Sequence, residues 1–91
     1  MQFTKEQFAL MNVALQVTEK KEARVFPLGE QKDAMNIYEK LLTHVNEKEN
    51  VFMDGEEDFT TQEKALILKL IDREWDVQVL KTVFSLRDLL Q

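Results

Sequence analysis

The sequence predicts an all-α fold, a small three- or four-helix bundle forming one domain over residues 1–91. Three observations carry that expectation. Chain-breaking residues are scarce, two glycines and one proline in 91 residues, and they fall only at Pro27-Leu28-Gly29 and Asp54-Gly55. The segments between them are long. Their apolar residues recur every three or four positions, the period of a helix face.

The first helix is expected over about residues 4–22. Thr4 stands three residues before Gln7, the spacing of a capping box, and Phe3 and Phe8 flank the cap as a hydrophobic staple. Phe8, Met11 and Leu15, with Ala14 and Val17 less regularly placed, mark one face. Glu19, Lys20, Lys21 and Glu22 suit a solvated last turn.

The second helix is expected over about residues 30–48. Ala34, Ile37, Tyr38, Leu41, Leu42 and Val45 follow helical spacing, Met35 borders that stripe, and Glu30 sits in the first turn, where the helix dipole favours an anion.

The third segment begins with a second capping box, Thr60 and Glu63, and runs to Gln91 without glycine or proline. One stripe reads Leu68, Ile71, Trp75, Val79, Val83, Leu86 and Leu90. A second reads Leu66, Leu70, Val77, Leu80 and Phe84. A continuous helix of about 30 residues would be about 45 Å long. A body of this size is roughly 30 Å across. The unbroken stripe favours one long C-terminal helix whose overhang packs on another chain. The β-branched cluster at Val77, Val79, Thr82 and Val83 favours a kink near residues 72–76.

A weak repeat is also present. Val25-Phe26 precedes Gly29-Glu30 as Val51-Phe52 precedes Gly55-Glu56. Two apolar pairs tucking linkers under the bundle explain it; pairing of the two segments as strands is the alternative.

Hydrophobic residues make up 44% and charged residues 32% of the chain, the balance of a globular protein. Cysteine is absent, which excludes disulfides, thiolate metal sites and cysteine nucleophiles. No apolar run approaches the ~20 residues that cross a bilayer. The N-terminal residues lack the basic-then-apolar order of a signal peptide. A soluble cytoplasmic protein with no membrane contact is the expectation.

The net charge of −5 is concentrated. Between Glu47 and Glu63 stand seven acids and one base, interleaved with Val51, Phe52, Met53 and Phe59. A solvated loop whose aromatics fold back onto the core explains this pattern. An acidic loop that docks on a basic protein surface is the functional alternative, with charge steering the encounter and aromatics as buried anchors. A calcium loop of the EF-hand kind does not fit, because counting from Asp54 the sixth and twelfth places hold Phe59 and Ala65 instead of Gly and Glu.

Catalytic patterns are sparse. His44 is the single histidine, no Glu stands three residues before it, and its place near a helix end suits a cap. Glu19-x-x-Glu22 lacks a second acidic pair on an apolar face. No phosphate loop, Ser-His-Asp set or zinc spacing can be assembled. Lys20, Lys21 and Arg24 form the only basic cluster, diluted by Glu19 and Glu22, so a nucleic-acid partner is disfavoured.

The sequence therefore predicts no catalytic residue, metal site or cofactor. It predicts a small non-enzymatic regulatory or inhibitory protein working through protein–protein contact. The expected partner surfaces are the loop residues Phe52, Met53, Asp54, Glu56, Glu57, Asp58 and Phe59, and the helix residues Leu66, Leu70, Val77, Leu80 and Phe84. The first would meet a protein with a basic surface. The second would form a homodimer or receive a partner helix. A small helical DNA-binding regulator, or an acidic mimic of nucleic acid, is the alternative.

Overall fold

A computed structural model describes all 91 residues. The chain is 57% helical, but it is mixed α/β and not all-α: four helices are joined by two small antiparallel two-stranded sheets. The elements are β1 (Gln2–Phe3), α1 (Lys5–Gln16), α2 (Leu28–Leu42), β2 (Val45–Asn46), β3 (Val51–Phe52), β4 (Gly55–Glu56), α3 (Thr61–Ile71) and α4 (Leu80–Leu90). A single 3₁₀ turn, Val77–Val79, leads into α4.

Both capping boxes form as the spacing predicts. Thr4 and Thr60 accept from the backbone N–H groups of Gln7 and Glu63, and those two side chains reach back to the cap N–H groups. Phe3 and Phe8 close the staple with ring centroids 5.4 Å apart, both fully buried.

Helix α1 ends at Gln16, six residues short of the expected end. The charged run 19–22 is a reversal of the chain. Thr18 N–H donates to the Glu22 carbonyl, the Thr18 hydroxyl accepts from the Glu22 N–H, and Lys21 takes a left-handed φ of 62°. Val17 and Ala23 then pair as an isolated bridge. The α1 carbonyls left open are met by arginines from elsewhere. Arg24 donates to the carbonyls of Ala14 and Val17, and Arg73 donates to Val17.

Helix α2 starts earlier than expected, directly after Pro27, and ends at Leu42. Residues 45–52 form a hairpin, Val45 opposite Phe52 and Asn46 opposite Val51. Asn46 makes that turn: its side chain accepts from the N–H groups of Lys48 and Glu49, and its carbonyl from Asn50, whose φ is 55°. Asparagine tolerates this left-handed backbone, so the turn needs no glycine. The apparent repeat is not structural, since Val51-Phe52 pairs with residues 45–46 and Gly29-Glu30 is helical.

The long C-terminal helix is corrected to two. The chain leaves α3 at Asp72, and the Trp75 indole N–H donates to the Ile71 carbonyl, giving that helix end a side-chain partner. The stripe predicted as one helix face is the inward face of α4, whereas in α3 the inward face is Leu66, Ile67, Leu70 and Ile71. Ile71, Val83, Leu86 and Leu90 are buried, and Leu68, Trp75 and Val79 pack against them. Folding the segment back keeps its apolar face within one body of 32 × 29 × 26 Å.

Helix α1 packs against the other three helices, and its Phe8, Leu10, Met11, Ala14 and Leu15 anchor a core of 17 buried apolar residues. No helix is long and apolar enough to cross a membrane.

Candidate functional site

Three carboxylates of the acidic connection, those of Asp54, Glu57 and Glu63, are tied to other elements of the fold. Asp54 Oδ1 accepts from the Lys5 N–H at 2.7 Å, placing a carboxylate at the start of α1. Glu57 Oε1 lies 2.9 Å from His44 Nε2. Glu63 is buried and meets Lys40 Nζ at 2.6 Å, while Lys40 also donates to the Asp58 carbonyl. Burial pushes the Glu63 carboxyl up. The Lys40 hydrogen bond and charge, with the Thr60 N–H and hydroxyl, outweigh it and hold Glu63 below its ordinary value.

Of the seven loop residues, Phe59 is buried and Phe52 half-buried against the core; Met53, Asp54, Glu56 and Asp58 are exposed, and Glu57 is partly covered. Of the five helix residues, Leu66 and Leu70 are core, Leu80 is half-buried, Val77 is 80% exposed and Phe84 47% exposed. Around Lys40, His44 and Glu57 the polar groups compensate one another. No three His, Asp or Glu side chains are grouped as metal ligands.

His44 owes its position to a glycine. Its ring stacks on Phe8 at 4.2 Å and 13°, and a Cβ added at Gly55 would stand 2.7 Å from its Nδ1. Gly55 thus lets the β4 backbone pass close to the Nδ1 edge of the imidazole.

A second concave feature lies elsewhere, between α1 and the α3–α4 connection. It is an open groove of ≈ 840 Å³. Its α1 side presents Ala9, Leu10 and Val13, and Val17 follows at the helix end. Its opposite side presents Trp75, Val79 and the methyl-bearing Thr82. Val13 is exposed, so this wall is apolar and open to water.

Trp75 is held on two sides. Its N–H is bonded to Ile71, and the Arg73 guanidinium lies 4.2 Å from its ring centroid. Arg73 is fixed in turn by the Val17 carbonyl, while its Nε is buried without a hydrogen-bond partner. Burial lowers the Arg73 pKa from its usual range, and Arg24 nearby lowers it further; Glu19 opposes both.

The groove edge is acidic. Glu6, Glu19, Glu74 and Asp76 are exposed lining residues, and none forms an ion pair within the chain. Lys21 is the one exposed base among the lining residues, because Arg73 is committed to Val17 and Trp75. The site is not legible in the sequence because its walls, residues 9–17 and 73–82, are far apart in the chain and its acids fall outside the dense 47–63 window. The available signal was Trp75 in a break flanked by Glu74 and Asp76.

Comparison with protein-family models, with characterised proteins and with solved structures gives no match.

Proposed function

We propose that this chain is a small regulatory or inhibitory module that acts by protein–protein contact, without catalysis. Its groove takes a basic, amphipathic segment of a partner. The apolar side of that segment lies against Val13, Trp75 and Val79, and its lysines or arginines face Glu6, Glu19, Glu74 and Asp76. The observation that carries this reading is the pairing of a fixed, partly exposed tryptophan wall with four unpaired carboxylates on the same groove.

Physical chemistry favours that combination. A preordered aromatic loses little entropy on binding and gives a large contact area. Unpaired acids on the rim raise the association rate of a cationic partner and weaken with salt. The loop at 51–59 is the less suitable docking element, because Asp54, Glu57 and Phe59 are engaged within the fold.

Amide chemical-shift mapping with a Lys/Arg-rich amphipathic peptide tests the reading. Shifts should concentrate at Ala9, Val13, the Trp75 indole and Val79. Shifts confined to residues 51–59, or none, would overturn it.

A further inference from the structure

The exposed side of α2 carries its own recognition pattern. Leu28, Met35 and Leu42 stand at successive intervals of seven residues and are 84%, 62% and 50% exposed. They form a line about 21 Å long at 1.5 Å per residue. Tyr38, also exposed, widens it on one flank. The opposite side of the helix is already occupied, with Ala34, Ile37 and Leu41 buried against α1 and α3. Three aliphatic side chains in heptad register on the water side of a helix are not required by the core. They match the seam of a two-helix contact.

The charges beside this line choose the occupant. Lys32 and Glu39 are exposed, lie on the same flank of the line, and have no ion-pair partner in the chain. They stand three residues before and four residues after Met35. A twofold axis crossing the helix between Met35 and Asn36 sends position 32 of one copy to position 39 of the other, on the same flank. Each Lys32 then faces a Glu39, twice per pair, while the apolar lines run against each other. A parallel arrangement sends that flank to the opposite one and makes neither contact.

We propose that the outer face of α2 is a self-docking surface on which a second copy of this chain pairs antiparallel across Met35. The contact is isologous, so it closes at a dimer and leaves the α1–α4 groove outside the seam. It is independent of the groove reading.

Sedimentation of the full chain from low micromolar to about 1 mM, at low salt, tests it. Association should appear within that range. Met35→Glu replaces an exposed residue with a good helix former, so circular dichroism should stay unchanged while association falls at least about tenfold. Lys32→Glu and Glu39→Lys should each weaken association several-fold, because each places two like-charge contacts in the pair. The double exchange should restore it. A chain that stays monomeric throughout, a dimer indifferent to Met35→Glu, or a double exchange that does not recover association would each overturn the proposal.

Discussion

The Arg73 guanidinium lies 4.2 Å from the centroid of the Trp75 ring and at the same time donates to the Val17 carbonyl at the end of α1. One side chain therefore closes a helix terminus and fixes the aromatic wall of the groove. Arg73→Ala should cost about 1–3 kcal/mol, from a charged hydrogen bond and a cation–π contact. Arg73→Lys should recover only part, since an ammonium cannot stack as a planar guanidinium does. Urea unfolding of the three proteins measures the difference.

Glu63 supplies the pH dependence. Its carboxyl is held below its ordinary value in the fold, so the folded state favours the carboxylate. That contribution is complete above the unfolded-state value and is lost as pH falls through the folded value. Glu63→Gln should thus be less stable than the parent at pH 7 and approach it in acid. In Lys40→Met the burial of Glu63 is no longer opposed by the ammonium, and its pKa should rise. Carboxyl NMR titration of Glu63 in parent and variant reads this directly.

Gly55 is required by crowding, since its backbone does not lie in the left-handed region. Gly55→Ala puts a methyl 2.7 Å from His44 Nδ1, and the imidazole is held by its stack on Phe8 and its contact with Glu57. A cost of about 1–3 kcal/mol is expected, as for overpacking elsewhere. Once His44→Ala is present, adding Gly55→Ala should cost much less. Thermal unfolding of the double-mutant cycle checks it.

Position in the fold separates two neighbours in α4. Leu86 is fully buried, so Leu86→Ala should cost about 2–5 kcal/mol. Phe84 is nearly half exposed, its ring beneath Arg87 at 5.0 Å, and Phe84→Ala should cost about 1 kcal/mol or less. Equal destabilisation in urea would contradict the placement of α4.

Much of the helical framework was legible because it is written locally. Thr4 with Gln7 and Thr60 with Glu63 fix two helix starts within four residues each, and Val83, Leu86 and Leu90 of the long stripe correctly name the inward face of α4. What was not legible depends on contacts between distant segments. Two-residue strands have no period to detect; β1 and β4 pair because Phe3 is anchored in the core and Gly55 passes His44. The end of α1 depends on Arg24 and Arg73, whereas the break after Ile71 falls at the 72–76 kink that the β-branched cluster allowed, with no glycine or proline to mark it. Tyr38 and Leu42 fit the helical period of α2 yet face water, since spacing alone does not say how wide a face the neighbours cover. The acidic window looked free because its partners, Lys5 N–H, His44 and Lys40, come from other elements.

Trp75 is the only tryptophan, so its emission reports the groove without a label. The most direct measurement is a fluorescence titration with a Lys/Arg-rich amphipathic peptide at low and high salt. The account predicts a saturable blue shift that weakens steeply with salt and is reduced at least about tenfold by the combined change Glu6→Lys, Glu74→Lys and Asp76→Lys. Emission that stays unchanged to about 1 mM peptide, or a response indifferent to both salt and those three charges, would contradict it.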